Sequence, residues 1–353
     1  MADQTLDEST LTIGSTSPFL PGTNIQFAWD STSLGLIKTC PRLYQLTMIE
    51  GWVPKDESVH LRFGIEYHSA MQDYDTFKLQ GDEHEVAVHK VVRGLLERTT
   101  DWVVDRETKA GKYKNRDTLI SLVVDYLDHY IDDPATTYIK SDGTPAVELS
   151  FRFELAFGPM TQVEHDGMSL EAESVNVVDE SGEISSTSPN HQPYILCGHL
   201  DRVVEFNDQL MVMDYKTTTT TPGAYYFAQY EPNNQMSLYT LAAQVLLDTP
   251  IKGVCISAAQ ILLEKPHNFV RGFTFRTPGQ IQEWIDDAGL HMLNAENYAK
   301  INYWPMNDTA CDKFGGCKFR GICSKDPEVR EVFLRSDFHK QEPEDRWNPL
   351  RSR

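Results

Sequence analysis

The chain has no apolar stretch of the kind that spans a bilayer. A membrane helix needs about 20 such residues, and the nearest run, Leu238 to Leu263, is broken by Asp248, Pro250 and Lys252. It also has no Walker-type glycine-rich phosphate loop, no helicase signature and no internal repeat. Those absences exclude a self-contained nucleotide-driven motor and a solenoid or propeller. Positive charge is scarce: 32 Lys and Arg stand against 52 Asp and Glu, a formal charge of −20. Strong attraction to bulk duplex nucleic acid is therefore not expected. Cysteine is sparse as well, with 6 residues, and the opening Met1 to Asp7 shows neither a basic nor an apolar leader region. A disulfide-stapled secreted scaffold is disfavoured, and a reducing, cytoplasmic compartment is expected.

What is present is enough apolar material, 40% of 353 residues, to bury a large core in one elaborated domain or two closely joined ones. Residues 1–24 are rich in Ser, Thr, Pro and Gly and read as a flexible tail. Residues 25–144 read as a helical region: Ser31 to Glu50 with a break at Pro41, then helices over 60–80, 84–98 and 116–131. A β-rich core follows over 145–264, interrupted by a long acidic insertion over 158–193. Residues 225–247 predict a helix, 252–263 a buried strand, and 278–298 a further helix; residues 265–330 carry that helix and three cysteines, and 331–353 read as a charged tail. The fold class is α/β, a mixed central β-sheet flanked by helices.

The most informative stretch runs from Gly198 to Lys216. Val203, Glu205, Leu210 and Val212 alternate with their neighbours at period two, and Phe206 to Gln209 supply a polar turn, so two antiparallel strands are predicted. Asp201 and Asp214 then share a site with Lys216, which lies two residues beyond Asp214 and so on the same face. Two carboxylates brought together repel unless a cation sits between them, so a divalent metal is the natural occupant. The adjoining ammonium would orient an attacking water or steady a developing oxyanion. Other residues stand out around this pair: Phe63 to His68 on a helix, Glu148 opening the Val147 strand, and Gln235-x-x-x-Tyr239 on the helix after the hairpin.

Taken together, these elements, with the Cys40-Pro41-Arg42-Leu43-Tyr44 string, resemble the RecB-like, iron-sulfur branch of the PD-(D/E)XK nuclease superfamily. That branch includes CRISPR-associated RecB-type exonucleases and AddB-type nuclease domains. The resemblance implies a restriction-endonuclease-like core and hydrolysis of DNA phosphodiesters with Mg²⁺ or Mn²⁺. In that reading Asp201 and Asp214 bind the metal, with His68 and the carbonyl of Tyr215 as further ligands. Lys216 positions the water, Glu148 acts through water or on a second ion, and Gln235 and Tyr239 contact the DNA. The expected action is exonucleolytic on single strands or ends, in recombination, repair or phage DNA processing, beside a helicase or recombinase on a separate chain. The rival reading is a non-cleaving iron-sulfur or zinc scaffold partner of such a complex.

Cys311, Cys317 and Cys323 form C-x5-C-x5-C, and Cys40 stands alone near the other end. Four thiolates suit a [4Fe-4S] cluster or tetrahedral Zn²⁺. The resemblance implies a four-cysteine cluster subdomain in which metal joins the two ends of the chain, although the family more often has a C-x2-C step here. Cys197 and Cys255 lie in apolar runs and are expected to be buried small hydrophobes. Two basic groups interrupt the acidic background: Lys313, Lys318, Arg320 and Lys325, and Lys109, Lys112, Lys114 and Arg116. Each is either a solvated face or a surface toward a strand.

Overall fold

The computed structural model describes residues 17–55, 58–156, 176–177, 193–264, 266–312 and 316–351. Strand β1 (Ala28–Trp29) leads into α1 (Ser31–Thr39). A capping box closes the start of α1: Ser33 N–H donates to the Asp30 carboxylate at 2.8 Å, and Asp30 N–H donates to Ser33 Oγ at 3.0 Å. The helix stops at Cys40 because Pro41 has no N–H to continue the ladder, and Pro41 starts α2 (Pro41–Tyr44) instead. After β2 (Trp52–Pro54) come α3 (Val59–Leu79), α4 (His84–Arg98), α5 (Lys109–Tyr113) and α6 (Arg116–His129). Ser58, Thr108 and Asn115 cap α3, α5 and α6 with their side chains.

Next come β3 (Thr136–Thr137), β4 (Val147–Glu154), β5 (Asn176–Val177), β6 (Ile195–Phe206) and β7 (Gln209–Thr218). The expected hairpin is the β6–β7 pair, and its two turn residues, Asn207 and Asp208, both have positive φ, 51° and 58°. That conformation suits Asn and Asp and matches the twist of the flanking strands. Then follow α7 (Ala224–Phe227), α8 (Asn234–Leu247), β8 (Gly253–Gln260), β9 (Asn268–Phe275), α9 (Pro278–Lys300), α10 (Arg320–Cys323), α11 (Arg330–Asp337) and β10 (Phe338–Lys340).

The chain folds as two units. One comprises residues 56–149 and 199–281. Its sheet is mixed: β6 and β7 are antiparallel, β7 and β8 parallel, β8 and β9 antiparallel, with β3 added beside β6. The parallel step requires a crossover, which α8 supplies. Strand β8 is buried along its whole length, as its run of small and β-branched residues predicts. Val204, Met211, Met213 and Tyr215 from the sheet meet Phe63, Tyr67 and Met71 of α3, with Leu95 of α4 and Leu122 of α6 behind them. This core holds α3 against the strands that carry the acidic pair.

The other unit comprises residues 1–55, 150–198 and 282–353. There β1 lies parallel to the start of β6, the end of β4 pairs with β5, and β10 lies antiparallel to β2. Leu46, Trp52, Phe319, Ile322, Leu334 and Phe338 form one of its cores. The C-terminal segment, expected as a charged tail, supplies α11 and β10 to this unit. Beyond them Trp347 Nε1 donates to Asp30 Oδ2 at 2.8 Å and Arg346 Nη1 to the Ile49 carbonyl at 2.6 Å. The tail residues 1–16 and all but three residues of the expected acidic insertion lie outside the described residues. No helix among the described residues is long and apolar enough to cross a membrane.

Candidate active site

The register of the hairpin decides which side chains meet. Arg202 pairs with Met213 and Val203 with Val212, and one further step sets Asp201 level with Asp214. Side chains directly opposite on an antiparallel pair stand about 5 Å apart at Cβ, so the two carboxylates are forced together by the backbone. Asp214 is almost fully buried and Asp201 nearly so, with side chains 2% and 9% exposed.

Lys216 follows on the same face, and its Nζ lies 2.9 Å from Oδ1 and 2.7 Å from Oδ2 of Asp214. The same ammonium donates to Gln235 Oε1 at 3.2 Å, and Gln235 Nε2 donates to the Tyr239 hydroxyl at 2.9 Å. The i, i+4 spacing on α8 makes that second bond possible. From the other side α3 brings His68, whose Nδ1 stands 3.0 Å from Asp201 Oδ2. Its ring meets the Tyr215 ring edge-on at 6.2 Å.

The electrostatics reflect this crowding. Burial raises the Asp214 carboxyl above its ordinary range; Lys216 pulls it back, and the like charge of Asp201 raises it again. Burial opposes charge on His68, but the Asp201 carboxylate more than offsets that and lifts the ring above an ordinary histidine. Two carboxylates that push against each other, in a site that tolerates positive charge, are the electrostatic form of a cation site.

Among the described residues no three His, Cys, Asp or Glu side chains stand at the spacing of a metal-ligand group. Here Lys216 and His68 close on the carboxylates instead. The donors nevertheless suit a hard divalent ion: two carboxylates and an imidazole, with Asp214 Oδ2 and His68 Nδ1 both buried and without a well-aligned hydrogen bond.

Glu148 sits at the start of β4. Val203 N–H donates to the Ala146 carbonyl at 2.8 Å, and that register carries Glu148 level with Asp201. Its φ of 51° breaks the pleat, so strand alternation does not fix where its carboxyl points.

The four cysteines fall in the other unit. Cys40 Sγ accepts from Asn307 N–H at 3.3 Å, and Cys317 N–H donates to the Cys311 carbonyl at 2.9 Å. Partial burial raises the thiols of Cys311 and Cys323. Cys317 and Cys40 reinforce this at Cys311; at Cys323, Arg42 opposes it and Cys317 adds to it. All six cysteines are free of disulfides, and the four do not form a metal-ligand group. Cys197 and Cys255 are buried, as expected, and burial pushes both thiols up to about 12.

Sequence reasoning overlooked the support behind the pair. Arg202, next to Asp201, faces Asp75 of α3 at 3.3 Å and donates to the Ala135 carbonyl at 3.0 Å and to the Tyr215 hydroxyl at 3.4 Å. Arg271 binds Asp133 through two bonds of 2.6 Å. The available signal was an arginine inside an otherwise apolar strand, which rarely survives burial without a partner.

The chain matches the PD-(D/E)XK nuclease superfamily over residues 31–324. No curated protein matches it. The matched span takes in the paired aspartates, the lysine two residues on and the mixed sheet that aligns them, and the chain belongs to the PD-(D/E)XK nuclease superfamily.

Proposed function

We propose that the protein is a metal-dependent deoxyribonuclease acting exonucleolytically on single strands or DNA ends, in recombination, repair or phage DNA processing. The observation that carries this reading is the convergence of Asp201, Asp214, Lys216 and His68 on one partly buried point. Superfamily membership implies a nuclease, and so a phosphodiester hydrolase.

Asp201 and Asp214 would hold Mg²⁺ or Mn²⁺, with His68 and the Tyr215 carbonyl as further ligands and Glu148 acting through water or on a second ion. When bound, such an ion lowers the pKa of its water and offsets charge at the phosphate. Lys216 is the group that orients the attacking water and shares the developing negative charge, for its ammonium reaches the same carboxylate that would bind the ion. Gln235 accepts from that ammonium and fixes its direction, and Tyr239 fixes Gln235. Gln235 and Tyr239 thus line the side of the site where a strand would pass.

Cys40, Cys311, Cys317 and Cys323 supply the donors for a [4Fe-4S] cluster or Zn²⁺. Among the described residues these thiols do not stand at the spacing of a metal-ligand group. The enzyme would work beside a helicase or recombinase.

Digestion of 5′- and 3′-labelled single-stranded DNA tests the reading, with Mg²⁺, Mn²⁺ or EDTA and with Lys216→Ala alongside. Metal-dependent shortening from one end, lost in the variant, is the expected outcome. Cleavage retained by the variant, or none from folded parent protein, overturns the assignment; the second result would favour a binding module. Metal analysis and an absorbance spectrum of anaerobically purified protein decide between iron-sulfur, zinc and an unmetallated quartet.

A further inference from the structure

We infer that the turn carrying Lys109, Lys112 and Lys114 is a phosphate-backbone contact for a single nucleic-acid strand passing the end of β7, a surface that deepens the nuclease reading and rests on it.

The first observation is charge. In a chain of −20, the cations on the neighbouring helices α3 and α4 are paired with carboxylates: Arg62 with Asp101, Lys90 with Asp82, Arg98 with Glu66 and Asp73. Lys109, Lys112 and Lys114 make no ion pair among the described residues. Lys109 and Lys112 are exposed, whereas Lys114 is 7% exposed. Its Nζ lies 5.3 Å from the centre of the Phe63 ring. Burial alone pulls this ammonium below the ordinary lysine range. A cation so placed gains from an anion brought to it.

The second observation is position. Lys114 Nζ donates to Thr217 Oγ1 at 3.4 Å, and Thr217 directly follows Lys216 on β7. The basic turn therefore adjoins the end of the strand that carries Asp214 and Lys216. His60 stands close enough for the Lys114 charge to act on it.

The third is rigidity. Thr108 Oγ1 accepts from Gly111 N–H at 3.0 Å, and Asn115 Nδ2 donates to the Gly111 carbonyl at 3.0 Å. A side chain at Gly111 would sit 2.1 Å from the Asp105 carbonyl oxygen, so the turn is seated on its own preceding loop. The lysines are presented at fixed places, which lowers the entropy lost when a backbone is bound.

The experiment is anisotropy of a fluorescein-labelled single-stranded oligonucleotide in EDTA across a salt series. The proteins compared are the parent, Lys109→Gln/Lys112→Gln and the triple variant adding Lys114→Gln. Each single-strand phosphate contact contributes about 0.7 to the slope of log affinity against log salt. The double variant should lose about 1.4 from that slope and about 25-fold in affinity at about 0.1 M salt, the triple about 2 and about 100-fold. Arginine at the same positions should restore both. In cleavage the double variant should raise KM and leave kcat unchanged.

Unchanged slope and affinity in the double and triple variants, or no binding by the parent, overturns the surface. The double variant alters only exposed side chains, so it stays informative if Lys114→Gln fails to fold. Binding that weakens as expected without any cleavage would sink the nuclease reading and leave the surface standing.

Discussion

Asp75→Asn should change the pH dependence of stability in a direction that the buried ion pair alone would not suggest. Asp75 lies 3.3 Å from Arg202, and both side chains are about one-tenth exposed. Burial raises the carboxyl from 3.8 to about 6, with Arg202 opposing and Asp133 and Asp201 adding to the rise. Desolvation therefore outweighs the attraction, as is common for buried pairs. Between those two values the folded chain holds a proton that the unfolded chain has released, so stability falls as pH rises through the interval. The contribution is complete below 3.8 and lost through about 6. At about 1.4 kcal/mol per pH unit the loss is about 3 kcal/mol. Asn cannot ionise. The difference in unfolding free energy should thus move by about 2.4 kcal/mol in the variant's favour between about pH 4 and about pH 7. Urea titrations followed by tryptophan fluorescence at both values measure it, and changes at groups that do not interact with Asp75 cancel in the comparison. A difference that stays constant refutes the reasoning. One that moves the other way would mean that Arg202 holds Asp75 ionised.

Asp214→Asn should lower cleavage by about 100-fold or more. It should melt no lower than the parent at neutral pH, because burial and Asp201 already disfavour the charge it removes; calorimetry beside the digestion assay checks both. Gly272→Ala should cost about 1–3 kcal/mol, since its Cβ would lie 2.2 Å from the Phe227 ring. Phe227→Leu in the same chain should recover part of that loss in urea unfolding. Brief alkylation of the native protein after chelation should label Cys311, Cys317 and Cys323 and spare Cys197 and Cys255, which are 1% and 2% exposed. Peptide mass spectrometry reads the pattern, and early labelling of Cys197 would contradict its burial.

Much of the local structure was legible because it depends on neighbours in sequence. The Asp30–Ser33 box, the stop before Pro41 and the apolar alternation on either side of Asn207-Asp208 each act within a few residues. The acidic pair was legible for the same reason: a two-residue turn leaves one register in which Val203 and Val212 both point inward, and that register puts Asp201 beside Asp214. Other features need partners far along the chain. Asp75 and Arg202, and Asp133 and Arg271, are pairs between distant segments, and nothing local announces which carboxylate a buried arginine will take. The C-terminal segment has the composition of a tail, yet Phe338 enters a core and Trp347 bonds Asp30.

The sequence by itself determined the helices, the hairpin and the chemical character of the site, because capping, periodicity and turn conformation are decided over a few residues. Only the tertiary structure decided that His68 approaches Asp201, that Lys216 is shared between Asp214 and Gln235, and that the Lys109 to Lys114 turn is seated next to Thr217. The first of these arises from burial of the α3 side chains against the sheet, and the others from where α8 and α5 come to rest beside β7. Burial is set by the shape of the whole core, and no pattern within one segment encodes it.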